Sequence, residues 1–401
     1  MKNKVEAIKG GTVTSPQGFT AGAVEAAIKY KGRPDLGVLY SEKPAIAAAV
    51  FTGNRVKAAP VLVSMQHADN SVVRAVIANS GCANACTGQQ GLKDAQNMAK
   101  LAADLLEIYP KEVLVASTGV IGTLMPMGRV AAGLKKLKLT ARGGHLLEKA
   151  IMTTDTRPKE IAVKVTDATG TYIIGGIAKG AGMIHPDMAT LLGFLATDAR
   201  VDPAFLKKAL KAAMHDSFNM ITIDGDTSTN DMVSIIANGA ARNRKLTAAN
   251  GGVFKLALSH VGTYLARSIA ADGEGATKLI EVYVEKAKTA GDARKIARTI
   301  AGSPLVKAAI HGNDPNWGRI VAAAGRSGAY MDENKVDVIL QGVQVMKNGS
   351  PLPFDKAALS RLLRKDNVSV VVRMNTGRAK ATAWGCDLSQ DYVTINSDYT
   401  T

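Results

Sequence analysis

Five stretches of this chain are crowded with residues that donate, accept or turn, and none has the patterning of a helix or a strand. They are 79–88 (Asn-Ser-Gly-Cys-Ala-Asn-Ala-Cys-Thr-Gly), 117–119 (Ser-Thr-Gly), 224–231 (Asp-Gly-Asp-Thr-Ser-Thr-Asn-Asp), 272–278 (Asp-Gly-Glu-Gly-Ala-Thr-Lys) and 311–319 (His-Gly-Asn-Asp-Pro-Asn-Trp-Gly-Arg). Polar loops carried on a rigid scaffold are where binding and catalysis concentrate. Any one of them alone reads as a solvated turn. Five together, several directly after strand-like runs, point to one shared polar site in an enzyme.

The residue types narrow that chemistry. Asp224, Asp226 and Asp231 resemble a calcium loop, but the sixth-position Gly and twelfth-position Glu of such a loop are missing. They read as turn-forming or network-forming acids. Cys82 and Cys86 have no nearby His, and the six histidines are scattered, so no zinc pattern forms. The glycines after Lys179 do not make a phosphate-binding loop, no dinucleotide fingerprint follows a strand, and no Gly-x-Ser-x-Gly elbow occurs. A sixth stretch, 179–200, joins a Gly-rich turn to an apolar run headed by Thr190. On its residues alone Thr190 is a threonine opening a strand, a common placement.

These loops need elements to hold them. Runs rich in β-branched residues predict strands at 72–78, 113–116, 161–165, 172–177, 232–236, 279–284, 336–340 and 368–374. Ala95, Met98, Ala99, Ala102, Leu105 and Leu106 make a helical stripe, with Pro110 as a stop. Asp202-Pro203 reads as an N-cap followed by proline at the first helical position, with Leu206, Ala209, Leu210 and Ala213 as the buried face. Strands and helices come in runs without strict alternation, which implies an α+β layered fold and argues against a doubly wound parallel sheet. Composition shifts suggest a main domain over 1–285, a smaller one over 286–385 and a tail over 386–401.

Composition excludes several other classes. The net charge is +16 and aromatics are 4 %, so an anion partner is conceivable but a base-stacking nucleic-acid surface is not expected. The basic runs Lys135, Lys136, Lys138, Arg142, then Lys207, Lys208, Lys211, and Arg361, Arg364, Lys365 are interleaved with Leu and Ala as solvated helix faces. Three cysteines suit reduced thiols and a cytoplasmic location. No apolar run is long enough to span a membrane. The opening residues carry no signal or transit pattern.

At 182–192, Gly-Met-Ile-His-Pro-Asp-Met-Ala-Thr-Leu-Leu, the chain resembles the ornithine acetyltransferase (glutamate N-acetyltransferase) family. The resemblance continues through 16–19, 47–59, 79–88, 153–156, 217–219, 224–231, 313–318 and 392–401. It implies an α-β-β-α sandwich with a smaller C-terminal α/β domain. It also implies self-cleavage between Ala189 and Thr190, leaving fragments 1–189 and 190–401. Three departures from the family pattern stand out: His185 and Asp187, Cys82, and Arg157. His185 is near the scissile bond and either tunes cleavage or is a neutral surface substitution.

The reaction so implied moves the acetyl group of N2-acetyl-L-ornithine to L-glutamate, in arginine biosynthesis. Thr190 is the expected nucleophile, attacking first the Ala189 carbonyl and then, once freed, the acetyl group. Its new α-amine, with a reference pKa of about 7.7–8.0, serves as general base where no His/Asp set exists. Thr118 and Gly119 are the implied oxyanion pair. Thr153, Lys179, Glu274, Asn396 and Thr401 are the implied substrate contacts, Lys179 for the α-carboxylate and Glu274 for the ornithine ammonium. The resemblance implies no metal and no cofactor. Acetyl-CoA stays open as a second acetyl donor, and an assembly of two copies of each fragment is expected. A related self-processing aminopeptidase or amidase is the alternative reading; a nucleic-acid-binding protein is a third, resting on charge alone.

Overall fold

Strands with apolar residues on both faces are buried on both sides, and the two central sheets are built from such strands. The computed structural model describes residues 3–69, 72–185 and 191–398. One sheet has four strands in the order Phe19–Val24, Leu36–Ser41, Ala75–Asn79 and Val113–Ser117. Its last pair is parallel, with Asn79 opposite Ser117, and is connected through helix Gly88–Leu106. A six-stranded sheet runs Lys4–Ala7, Glu160–Asp167, Gly170–Lys179, Leu192–Thr197, Met232–Ala237 and Ile46–Phe51.

Successive side chains on a strand point to opposite faces, and this alternation assigns the layers. Val38, Ile77, Val113 and Val115 pack under helices Ala59–Ala68, Gly88–Leu106 and Met127–Leu134. Their neighbours Leu39, Val76, Ala78, Leu114 and Ala116 face the other way, onto Ile177, Leu192, Phe194 and Ala196 of the six-stranded sheet. The far side of that sheet, with Val163, Val165, Ile174, Leu195 and Val233, is covered by helices Pro203–His215 and Gly252–Ala270. The layers run helix, sheet, sheet, helix, as the resemblance implied. Burying one of these large side chains contributes about 1.5–3 kcal/mol. The Asp202 N-cap is present: its carboxylate accepts the N–H groups of Ala204 and Phe205, both at 3.1 Å.

A seven-stranded sheet follows, in the order Ile221–Thr222, Ala379–Cys386, Leu279–Ala287, Asn367–Arg373, Asp337–Leu340, Val343–Lys347 and Ser350–Pro351. Helix Ala290–Ala301 packs Ala293, Ile296, Ala297 and Ile300 against it. The break expected at 285/286 falls inside strand Leu279–Ala287, which is hydrogen bonded on both sides. This layer also takes in Ile221–Thr222 from the preceding part of the chain, paired in parallel with Trp384 and Gly385. Helix Gln390–Asp398 then returns over the loop at 273–275. Ser389 Oγ donates to the Gly275 carbonyl (2.6 Å), and a Cβ on Gly275 would meet the Tyr392 nitrogen at 2.5 Å.

Candidate functional site

Two parallel strands end side by side at Asn79 and Ser117, so the polar loops that follow them are neighbours. The contact is too close for a side chain. Gly119 has φ +130°, and a Cβ there would meet the Gly81 carbonyl carbon at 2.3 Å and the Cys82 nitrogen at 2.6 Å. Only glycine lets the 117–119 turn lie flat on the 79–88 loop, and the Gly119 N–H is held by that fit. Asn230 ties the two together from a third direction, its Nδ2 donating to the carbonyls of Ala83 (2.6 Å) and Ser117 (2.9 Å).

Lys179 closes strand Gly170–Lys179 and is 7 % exposed. Its Nζ donates to Thr153 Oγ1 at 2.7 Å and to Thr118 Oγ1 at 3.3 Å. An ammonium has three N–H donors, and partners among the described residues take two of them. The Thr118 hydroxyl accepts from a cation, which leaves its own proton to donate into the pocket. Burial pulls Lys179 below the usual lysine range, while the Asp155, Asp231 and Glu274 carboxylates push back up.

Beneath Lys179 lies a buried ion network. Lys159 Nζ lies 2.6 Å from Asp155 Oδ1 and 2.6 Å from Asp272 Oδ2, with all three side chains at most 3 % exposed. Asp155 also accepts the N–H groups of Thr153 (3.0 Å) and Gly180 (2.6 Å). Burial alone would raise its pKa, but the charges of Lys179 and Lys159 hold it down at about 2. Asp155 is therefore a fixed anion that sets both ends of the pocket floor.

Glu274 forms the opposite wall. Its carboxylate accepts from Asn396 Nδ2 at 2.8 Å, and its N–H bonds the Ala181 carbonyl at 2.9 Å. A Cβ on Gly182 would meet that carboxylate at 2.4–2.5 Å, so Gly182 is what gives Glu274 its place. Asp224 takes the N–H groups of Met183 (2.6 Å) and Ile184 (2.9 Å), fixing the backbone at those two residues. It is a network-forming acid occupied by backbone. Where the described chain resumes, the Leu191 carbonyl accepts the Met232 N–H at 3.0 Å, next to Asp231. Burial pushes Asp231 well above the carboxylate range, against its hydrogen bonds and the Lys179 charge.

Thr118, Gly119, Thr153, Lys179, Glu274 and Asn396 thus line one pocket, together with residues of 79–88 and 224–231. Four of the five polar loops meet here. The fifth, 311–319, serves elsewhere: His311 Nδ1 lies 2.7 Å from Asp387 Oδ2, and Asn313 Oδ1 accepts from Lys278 Nζ at 2.7 Å. Ala189, Thr190 and Thr401 lie outside the described residues, as does Asp187. Cys82 is buried, with Sγ 3.3 Å from the Thr123 carbonyl, and burial raises its thiol pKa. Arg157 donates to the Ala271 carbonyl at 2.8 Å. His185 is not a plain surface residue, since both ring nitrogens are engaged by Thr222 and Arg298. Among the described residues, no helix is long and apolar enough to cross a membrane.

Sequence reasoning missed Asp155, Lys159 and Asp272 as a unit. Asp155 stood inside the 153–156 motif and Asp272 opened a polar loop, but nothing marked Lys159 as buried.

The model of the ArgJ family matches residues 20–401. The arginine biosynthesis bifunctional protein ArgJ of Dehalococcoides mccartyi is 51 % identical over 405 aligned residues, covering all of both chains. The protein of the same name from Symbiobacterium thermophilum is 52 % identical over 397 residues, 98 % of this chain and 99 % of that one. A crystal structure of arginine biosynthesis bifunctional protein ArgJ from Bacillus halodurans is 43 % identical, covers 50 % of this chain and 96 % of its own, and superposes with a TM-score of 0.49.

Proposed function

This chain belongs to the ArgJ family, and on that premise we propose that it transfers acetyl from N2-acetyl-L-ornithine to L-glutamate through an acetyl-threonine intermediate on Thr190. The observation that carries the site assignment is the convergence of Thr118, Gly119, Thr153, Lys179, Glu274 and Asn396 from separate segments on one pocket.

In the precursor, the Thr190 hydroxyl attacks the Ala189 carbonyl carbon and the peptide nitrogen leaves, giving an ester. Water hydrolyses that ester, which frees the Thr190 α-amine and the Ala189 carboxylate. The free amine then takes the hydroxyl proton as Oγ1 attacks the acetyl carbonyl. The Thr118 hydroxyl, polarised by Lys179, and the Gly119 N–H donate to the oxyanion that forms. Ornithine leaves with a proton, and the glutamate amine takes the acetyl group in the second half-reaction. The third N–H of Lys179 pairs with the substrate α-carboxylate, and Glu274, oriented by Asn396, faces the ornithine ammonium. Thr153 braces Lys179, and Thr401 completes the binding set.

Acetyl-CoA as a second donor of the same acetyl group is part of this proposal, in line with the bifunctional name of the relatives. So are a cytoplasmic location and an assembly of two copies of each fragment. Transfer to an amine acceptor is favoured over an amidase reading by relatives matched along the whole chain.

Intact-mass analysis tests the order of events. Two fragments, 1–189 and 190–401, are expected, and Thr190→Ala should give one uncut, inactive chain. An uncut wild-type chain that transfers acetyl at full rate would overturn the amine-as-base mechanism.

A further inference from the structure

One face of helix Ala290–Ala301 carries Gly291, Arg294, Lys295, Arg298 and Thr299. That is the spacing of a single helical face, and it borders an open cleft of about 650 Å³. Across the cleft stand His185, His215, Asn219 and Arg326. Six basic side chains therefore line it, and among the described residues no Asp or Glu does. Asp216, which is not among the lining residues, pairs with Arg294 at 2.9 Å and lies 3.3 Å from His215. Among the described residues, no salt bridge engages Lys295 or Arg326.

Such a surface costs stability unless something complements it. Like charges at i and i+4, as Arg294 and Arg298 are, repel on a helix. The chain has 34 acidic residues, and among the described ones none lines this cleft. A volume of this size suits a small-molecule ligand.

The cleft also shares a wall with the acetyl-transfer pocket. Arg298 Nη2 lies 3.1 Å from His185 Nε2. A guanidinium can only donate, so Nε2 accepts and the ring proton sits on Nδ1, which donates to Thr222 Oγ1 at 2.9 Å. The His185 carbonyl accepts from Thr227 Oγ1 at 3.0 Å. Two residues earlier, Met183 lines the other pocket. The segment 183–185 thus has the catalytic pocket on one side and the basic cleft on the other.

We propose that this cleft is a second ligand site, which takes a small molecule through two or more phosphate groups. Arg294, Lys295, Arg298 and Arg326 bind the phosphates, and His185 holds Arg298 in place. The chemistry fits the phosphorylated end of an acyl-thioester carrier and fits a free nucleotide polyphosphate equally. The assignment stands on the cleft itself and does not need the acetyl-transfer reading.

Isothermal titration of the purified protein with coenzyme A, ATP and inorganic pyrophosphate tests it, alongside the charge-reversal variant Lys295→Glu/Arg326→Glu. Both side chains are exposed, so the variant should fold, which a melting curve checks. Ornithine-to-glutamate acetyl exchange should be unchanged in it, since neither residue touches the catalytic pocket. Each lost contact to a charged group weakens binding by roughly tenfold, so about a hundredfold loss is expected. Coenzyme A bound more tightly than ATP, and lost in the variant, identifies the carrier as the source; the reverse order identifies a free nucleotide. No binding to the wild type, or equal binding to a folded variant, overturns the proposal. So does duplex DNA bound more tightly than every small phosphate and released by the same variant.

Discussion

Replacing Lys159 with methionine is the sharpest test of the site's foundation. The side chain is fully buried between Asp155 and Asp272, 2.6 Å from each. Methionine fills similar space and removes the charge, leaving two carboxylates facing each other out of water. Breaking a buried ion pair in this way costs about 3–5 kcal/mol. The loss should depend on pH. In the wild type Asp155 is held at about 2, below its ordinary 3.8, so its stabilisation is complete above 3.8 and fades as pH falls towards 2. In the variant the carboxylate pair takes up a proton more readily than the unfolded chain does, so the penalty is present at high pH and shrinks on acidification. One proton is about 1.4 kcal/mol per pH unit. Urea unfolding at pH 8 and pH 5.5 measures both quantities, and the double variant K159M/D272N should recover part of the loss at pH 8. A penalty under about 1 kcal/mol at pH 8, against the 3–5 kcal/mol expected, would refute the reasoning. So would a penalty that does not change with pH.

Glu148 is buried, its pKa pushed up to about 8 by burial, and it accepts the Lys159 N–H at 2.8 Å. A raised carboxyl destabilises as pH climbs from 4.5 to about 8, so E148Q should gain on the wild type by up to about 1.4 kcal/mol per pH unit across that window, read from thermal melts. Gly119→Ala forces a Cβ to 2.3 Å from the Gly81 carbonyl carbon and so displaces the N–H proposed as an oxyanion donor. Its kcat for acetyl transfer should fall about 10²- to 10³-fold, and a folded variant with wild-type kcat would exclude Gly119 from the oxyanion hole. Asp202→Ala removes two N-cap hydrogen bonds and should cost about 1 kcal/mol in denaturant unfolding, with no effect on kcat.

Local patterning made some elements legible and hid others. The strands at 113–116, 161–165 and 232–236 announced themselves because Val and Ile crowd them, and each is found within observed Val113–Ser117, Glu160–Asp167 and Met232–Ala237. Phe19–Val24 and Ile46–Phe51 did not, because Ala and Gly replace the β-branched residues there. The structure gives the reason at Gly22, where a Cβ would meet the Lys138 carbonyl oxygen at 2.1 Å. Close approach dictated a residue that carries no strand signal. The expected break after 285 meets the chain inside a strand. The polar run after Glu285 suggested a linker, and strand Leu279–Ala287 reaches two residues into it: pairing with Asn367–Arg373 stops at Glu285, while Ala287 still pairs with Ala379, since backbone pairing does not depend on apolar side chains.

The pocket was legible as loops and illegible as a circuit. Thr118, Lys179 and Glu274 belong to three distant segments, and no local rule couples them. Coupling comes from what lies underneath: Asp155 holds the Gly180 N–H and the Thr153 N–H at once, and Lys159 binds Asp155 to Asp272, two residues before Glu274. In sequence Lys159 resembles any surface lysine, since its burial comes from Glu148, Asp155, Ala178 and Asp272, which only the fold brings around it. The consequence is chemical as well as structural. In its proposed role Lys179 has to stay charged to hold a carboxylate and to polarise the Thr118 hydroxyl, yet burial opposes that charge. Asp155 works against that loss, and Lys159 and the backbone N–H groups keep Asp155 ionised while it does so. The proposed acetyl-transfer pocket therefore rests on a buried chain of alternating charges, and the roles proposed for Thr118 and Lys179 fail together if that chain is broken.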